Sequence, residues 1–168
     1  INALWITVVY FLIPTICLVP VILLRWSHVK NGGFSLQVTC ILSGGSLLLY
    51  STSIVYTEVV RAMLLFYLTP IWATLLARIF LGETITPSRL IAMVLAITGM
   101  LTIFGLGVRF PIPKNVGDWL GIASGFFWAV AMVRIRMSQR HSAVEMTIGF
   151  FYWSLFFAVS TALLMAPT

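Results

Sequence analysis

Six charge-free apolar runs divide the chain, and short polar stretches separate them. The runs cover residues 3–24, 38–57, 62–77, 90–108, 119–133 and 146–166. A helix needs about 20 residues to cross roughly 30 Å of hydrocarbon. Four runs approach or exceed that length, and the third and fifth reach it if their flanking arginine side chains extend to the interface. The pattern predicts an all-α membrane protein with six transmembrane helices.

The composition supports the bilayer as the surroundings of the chain. Hydrophobic residues make up 61% and charged residues 8% of the sequence, whereas an average soluble domain is about 25% charged. This balance excludes an ordinary soluble globule, a disordered chain, collagen and a disulfide scaffold. Cys17 and Cys40 lie inside apolar runs, without the spacing that is typical of metal ligands.

The charged residues predict which way the helices run. The loops alternate between a side with seven Lys or Arg residues and a side with Arg61, Arg109 and Lys114. The seven-charge side is expected in the cytoplasm, so the first run enters from outside and another span is expected before it. With Ile1 at the start and an apolar run close to the end, we expect an internal piece of a longer membrane protein. Because the basic residues orient the helices, nucleic acid is not needed to explain them.

One stretch carries a motif pair that resembles a known family. Residues 67–105 read YLTPIWATLLARIFLGETITPSRLIAMVLAITGMLTIFG, with Thr-Pro inside one span, Leu-Gly-Glu at its end and Thr-Pro opening the next. A further start follows at Gly117-Asp118-Trp119. This combination resembles EamA-type members of the drug/metabolite transporter superfamily.

The resemblance implies a ten-helix transporter of two five-helix halves, the second inverted. The six spans would then be the second to seventh. Residues 1–108 would form the first repeat without its opening helix, residues 109–116 a linker, and residues 117–168 the start of the second repeat. The predicted orientation agrees, because the second helix of this family runs from outside to inside.

The function implied is secondary transport of a small metabolite or drug-like molecule by alternating access, across a bacterial cytoplasmic (inner) membrane. The expected partners are the lipid bilayer and a small-molecule substrate, with a coupling proton and a homodimer as open possibilities. No cofactor and no metal are expected.

A polar face follows the second span, with serine, threonine and tyrosine residues at steps of three and four. Its members are Ser43, Ser46, Tyr50, Ser53 and Thr57. Two interpretations fit: the face lines a water-filled substrate path, or its hydroxyls bond neighbouring helices and their own backbone. Tyr50 and Ser53 are taken as candidates for a substrate cavity.

Pro70 interrupts the third span, because proline has no N–H for the helical hydrogen bond. The carbonyl freed near Phe66 is expected either to face a cavity, as in broken transporter helices, or to mark a packing kink. Tyr67 and Thr74 share a face of this span and join Pro70 as cavity candidates. Trp128, in the fifth span, is expected to form an aromatic wall of the cavity or to fill the core.

Two charged groups meet where the second span gives way to the third. Glu58 and Arg61 are three residues apart, which places them within reach of a local ion pair. The pair is either a gate or charged-substrate site, or an interfacial contact that orients a short turn.

The remaining candidates have structural roles, in a turn between two spans and in a row of glycines in the fifth span. Gly82, Glu83 and Pro87 are the structural part of the family motif, with Gly82 ending a helix and Pro87 starting the next. Glu83 is expected either to pair with Arg78 or Arg89 or to bond the exposed amides of a helix end. Gly117, Gly121 and Gly125 lie four apart, which predicts a helix-packing seam between the halves, one that can slide during transport.

Other functional classes have less support in the sequence. Ser124 lies 17 residues before His141, about 25 Å along a helix, so a serine nucleophile lacks a nearby base. No HExxH, DDxxD or paired carboxylates occur. A non-transporting membrane scaffold or regulator is the main alternative, ahead of an intramembrane enzyme.

Overall fold

The computed structural model describes residues 3–31, 33–104, 113–138 and 141–165. These residues form seven α-helices and no strand. The helices are α1 (Ala3–Asn31), α2 (Gly33–Tyr56), α3 (Val59–Phe66), α4 (Thr69–Leu81), α5 (Pro87–Phe104), α6 (Val116–Met137) and α7 (Ala143–Met165). The prediction of an all-α chain is confirmed.

Five helices are long and apolar enough to cross a membrane. They are Trp5–Arg25, Gly33–Tyr56, Val59–Leu81, Val116–Met137 and Ala143–Leu164, where α3 and α4 together form the third. The remaining apolar helix is the shorter segment Pro87–Gly99, within the 18 residues of α5. Five of the six predicted spans therefore correspond to helices of this length. Residues 105–108 of the fourth predicted span and residue 166 of the sixth lie outside the described residues, and the ten-helix context stays a prediction.

Several helices extend beyond the apolar runs that predicted them. Helix α6 continues through Arg134 and Arg136, well past the end of its charge-free run. Of the predicted linker at 109–116, residues 109–112 lie outside the described residues, and Asn115 is the N-cap of α6. Long side chains let a helix extend beyond its apolar run, because a guanidinium can reach the membrane interface.

Helix α6 lies at the centre of the bundle. It packs against α2, α3 and α4, while α7 packs against α1 and α2. Phe11 and Val8 of α1 are buried against Ala158 and Ala162 of α7. Helix α5 packs less closely, and most of its described side chains are exposed. In a bilayer these outward apolar side chains contact lipid.

The three glycines of α6 lie where neighbouring backbones come closest. A Cβ atom on Gly117 would stand 2.8 Å from the backbone carbon of Tyr56, and one on Gly125 would stand 2.9 Å from Oγ1 of Thr69. One on Gly121 would stand 3.1 Å from Oγ of Ser53. Only glycine allows these approaches, so the spacing of four positions is used for close helix packing.

Serine hydroxyls join α2 to α6 beside these glycines. Ser46 Oγ donates to the carbonyl of Ser124 at 2.7 Å, and Ser53 Oγ donates to the carbonyl of Gly117 at 2.7 Å. Ser43 bonds within its own helix, to the carbonyls of Thr39 and Cys40. For these serines the helix-bonding interpretation of the polar face is the one that the structure favours.

We predict that Gly117→Ala destabilises the protein by about 1–3 kcal/mol, because the new methyl group meets backbone atoms that cannot turn aside. The measurement is thermal unfolding of the purified protein in detergent. Gly99→Ala is the matched control, since no described atom lies within 4 Å of its Cβ position. Equal melting temperatures for the two variants would contradict the close approach at Gly117.

Candidate functional site

The third span is broken between α3 and α4. The N–H of Tyr67 still donates to the carbonyl of Met63 at 2.9 Å, but α4 starts afresh at Thr69 with Pro70 in its first turn. Pro70 cannot donate to the carbonyl of Phe66. The hydroxyl of Thr69 donates to that carbonyl instead.

This contact favours the packing interpretation, one of the two that the sequence left open for the break. The carbonyl of Phe66 is not left open toward a cavity, because Thr69 bonds it. A Cβ atom on Gly125 would stand only 3.0 Å from the same oxygen, so the carbonyl lies against α6. The break therefore interrupts the third span between α3 and α4, and it is also a site of close packing against α6.

A cleft of about 550 Å³ lies beside the break, between α4, α5 and α6. Four of the six residues predicted for a substrate cavity line it: Tyr67, Pro70, Thr74 and Trp128. The cleft is mostly apolar and aromatic, with polar groups at a few points along the wall. The hydroxyl of Thr74 donates to the carbonyl of Pro70 at 2.8 Å, so it is engaged within its own helix.

The other two predicted cavity residues lie elsewhere. The ring of Tyr50 contacts that of Phe66, which itself lines the cleft, with the centroids 5.0 Å apart and the ring planes tilted by 51°. Ser53 is fully buried in the seam between α2 and α6. The two residues share a face of α2, but different neighbours cover them.

One end of the cleft is basic. Arg89 of α5 and Arg136 of α6 both line it. Glu83, in the turn after α4, contacts both: its Oε2 lies 2.7 Å from Nη1 of Arg89, and its Oε1 lies 3.5 Å from Nη1 of Arg136. One carboxylate thus connects the turn to two neighbouring helices, at the end that the charge pattern assigns to the cytoplasm.

The turn that holds Glu83 has a defined backbone. Gly82 ends α4 with a φ of +67°, in the left-handed region that glycine adopts without strain. Pro87 is the first residue of α5, and the N–H of Arg89 points to the hydroxyl of Thr86 at 3.4 Å. Of the two arginines that the sequence offered as partners for Glu83, Arg89 is the one bonded.

Arg89 and Arg136 also favour the ionised form of the Glu83 carboxyl group. The hydrogen bond from Arg89 holds the pKa of Glu83 below its usual range, and the charges of Arg89 and Arg136 act in the same direction. Glu83 is therefore ionised at neutral pH, so the three groups together carry one net positive charge.

A second ion pair lies at the other end of α6. The Nε of Arg61 is 2.8 Å from both carboxylate oxygens of Asp118. The side chain of Asp118 is 0% exposed and that of Arg61 is 17% exposed. The spacing of Glu58 and Arg61 predicted a local ion pair, but the carboxylate that Arg61 contacts here is that of Asp118, 57 positions after Arg61. Glu58 is exposed at the N-cap of α3, without a side-chain cap bond.

Three further groups complete the surroundings of Asp118. Thr57 Oγ1 donates to it at 2.8 Å, and the backbone N–H of Lys114 donates at 2.9 Å. The N–H of Asp118 in turn donates to the side chain of Asn115 at 2.7 Å. The buried carboxylate is thus bonded from the end of α2, from α3 and from the start of α6, as a charge removed from water requires.

Asp118 was noted in the sequence only as part of a family motif. A local signal was present: Asn115 followed three residues later by an acid, just before an apolar run, indicates a capped helix start. That signal places Asp118 in the first turn of α6. It does not reveal the contact with Arg61, which arises only when α3 packs on α6.

The described side chains do not indicate a metal centre. Among the residues that the structure describes, no three or more His, Cys, Asp or Glu side chains lie close enough together to hold a metal ion.

Comparison with known proteins supports the resemblance seen in the sequence. The model of the EamA-like transporter family matches residues 1–105. Neither a curated protein nor a solved structure matches the chain. The family resemblance carried by the Thr-Pro and Leu-Gly-Glu motifs is confirmed.

We predict that Asp118→Asn lowers the free energy of unfolding by about 3–5 kcal/mol, because it leaves Arg61 without its buried counter-charge. The check is thermal unfolding in detergent. Glu58→Gln makes the same chemical change at an exposed carboxylate and is expected to shift stability by no more than about 0.5 kcal/mol. The reverse order of the two effects would restore Glu58 as the main partner of Arg61.

A pH series tests the contact of Glu83 with its arginines. Because the folded state lowers the pKa of Glu83, the ionised carboxylate stabilises the protein above its ordinary value of 4.5, and this contribution is lost as the pH falls below it. We therefore expect Glu83→Gln to melt at a lower temperature than the wild type at about pH 7, with the gap closing toward about pH 3.5. A gap of constant size across this range would count against the ion pair.

Proposed function

Because the chain belongs to the EamA-like transporter family, we propose that it moves a small metabolite or drug-like molecule across a bacterial cytoplasmic membrane. The chain is an integral, multi-pass membrane protein of the drug/metabolite transporter type.

The cleft between α4, α5 and α6 is the observation that supports this proposal. Helices α4 and α5 lie within the part of the chain that matches the family model, and α6 lies beyond it. A carrier that works by alternating access binds its substrate where two repeats meet, so that one can rock against the other. A cleft walled by both parts has the position that this mechanism needs.

The size and lining of the cleft suit a small molecule. Its volume of about 550 Å³ falls within the range of roughly 300–1,000 Å³ that is typical of ligand sites. Tyr67 and Trp128 offer flat aromatic surfaces, and Pro70 adds an apolar one. These groups favour a substrate with a compact apolar or aromatic portion.

The two ion pairs suggest how the cleft would be closed. Asp118 and Arg136 are 18 positions apart on α6, which is about 27 Å along the helix axis. The Arg61–Asp118 contact lies beyond one end of the cleft, and the Glu83–Arg136 contact lies at the other. In the proposed cycle, the buried Arg61–Asp118 contact holds one end of α6 to the first repeat, while the more exposed Glu83–Arg136 contact opens and closes at the other. A proton gradient, exchange or the substrate gradient would drive the cycle.

The alternative functions gain little from the structure. Ser124, the serine considered as a nucleophile, is fully buried and donates to the carbonyl of Gly121 at 2.6 Å. Its hydroxyl therefore belongs to the helix seam rather than to a water-accessible site. A scaffold role would need a partner surface, which no described contact identifies.

Transport by the full-length protein tests the proposal. The reconstituted protein is screened for uptake of radiolabelled pools of amino acids, nucleobases, sugars and organic acids. For the transported compound, we expect Trp128→Ala to lower the initial rate by about tenfold, because the aromatic wall of the cleft is lost.

Trp119→Ala is the matched control, since this residue lies on the same helix but is 62% exposed and outside the cleft. It should change the rate by less than about twofold. Uptake of none of the pools by correctly inserted protein would argue against transport. Equal rates in both tryptophan variants would remove the cleft as the transport site.

A further inference from the structure

The basic end of the cleft has more positive than negative charge. Among the described residues that line the cleft, the charged ones are Arg89 and Arg136, and no acid is present. Glu83 reaches these arginines from the turn after α4 without lining the cleft itself. One carboxylate therefore serves two guanidinium groups, and one positive charge is left to be balanced.

The two arginines are held unequally. The contact of Glu83 with Arg89 is 2.7 Å, which is the length of a good charge-assisted hydrogen bond of about 2.7–2.9 Å. The contact with Arg136 is 3.5 Å, and the side chain of Arg136 is 52% exposed. A guanidinium has five N–H donors in a fork that matches a carboxylate. Arg136 is thus the group better placed to accept another anion.

The rest of the cleft has a different character. Trp128 lies two helical turns before Arg136 on α6, about 12 Å along the axis. Tyr67 and Pro70 face the same space from the broken span. A molecule that contacts both regions would have an apolar or aromatic body and a negatively charged group at one end.

On the premise that the cleft is the transport site, we propose that its substrates are small organic carboxylates. The carboxylate of the substrate binds Arg136, and secondarily Arg89, in place of Glu83. The apolar body lies against Tyr67 and Trp128. Glu83 thus acts as an internal anion that occupies the site when no substrate is bound.

This exchange links binding to opening of the cleft. Glu83 belongs to the turn between α4 and α5, and Arg136 belongs to α6, so their contact connects the family-matched part of the chain to the helix beyond it. A substrate that takes over Arg136 removes this connection. Neutral molecules of the same shape would leave the contact in place.

Binding of matched acid and amide probes tests the inference. The full-length protein is purified in detergent, and binding of radiolabelled indole-3-acetate and benzoate is measured in competition with their amides and with tryptamine. We expect each acid to bind about tenfold more tightly than its amide, as one charge-assisted bond would give. Arg136→Gln should remove this preference, and Arg136→Lys should restore part of it.

The Glu83→Gln variant separates competition from structural support. If Glu83 occupies the anion site, its removal should strengthen binding of the acids by about three- to tenfold, although it weakens the folded protein. If Glu83 only positions the arginines, the same variant should weaken binding, which would overturn the exchange. Arg78→Gln is the matched control for Arg136→Gln. It also removes an arginine, from the last turn of α4, but Arg78 does not line the cleft.

The outcomes distinguish this inference from the proposed function. Acids that bind no better than their amides, or that do not bind, overturn the carboxylate assignment. If amides are then transported, and this transport depends on Trp128, the proposed transport function stands without the carboxylate assignment. Acids that bind through Arg136 but are not transported by the reconstituted protein support the anion site and contradict transport.

Discussion

The contact between α2 and α6 is the constraint on which the rest of the structure depends. Lipid is as apolar as leucine, so helices in a bilayer do not associate by the hydrophobic effect. They need close van der Waals contact and hydrogen bonds that lipid cannot offer. Gly117 and Gly121 provide the close approach, and the hydroxyls of Ser46 and Ser53 donate to carbonyls across it. The same glycine face also meets the broken third span, where a Cβ atom on Gly121 would stand 3.4 Å from Cβ of Leu65 and one on Gly125 would stand 2.9 Å from Oγ1 of Thr69. Held in this way, α6 forms one wall of the cleft.

The two ion pairs along α6 differ in a way that matters for motion. Asp118 is fully buried and receives bonds from Arg61, Thr57 and the backbone of Lys114. Breaking one partner of such a network is costly, because a charge is left without compensation away from water. The contacts of Glu83 with Arg89 and Arg136 are partly exposed, and exposed pairs contribute only about 0–1 kcal/mol. One end of α6 is therefore firmly held, whereas the other has a contact that a ligand can replace at little cost.

The broken third span connects these two regions. Pro70 prevents a continuous helix, and Thr69 satisfies the carbonyl that the break leaves without a partner. Backbone hydrogen bonds continue on both sides of the break, from the N–H of Leu68 to the carbonyl of Leu65 and from the N–H of Ile71 to the carbonyl of Leu68. An interrupted helix in a membrane needs such replacement bonds, because water is scarce there. The same break directs Tyr67 into the space between α4, α5 and α6. Packing and cavity formation thus arise from one local feature.

Local patterns in the sequence were enough to predict several features. Apolar runs predicted the helices, Gly82 and Pro87 marked the turn, and the spacing of the α6 glycines indicated a packing face. The Thr-Pro and Leu-Gly-Glu motifs identified the family. Only the tertiary structure decided which groups meet across helices: Asp118 with Arg61, Ser53 with the carbonyl of Gly117, and Glu83 with Arg136. In a membrane helix apolar residues occur on every face, so periodicity does not show which face meets which neighbour. Those pairings depend on the packing and relative rotation of helices far apart in the chain, which no local pattern records.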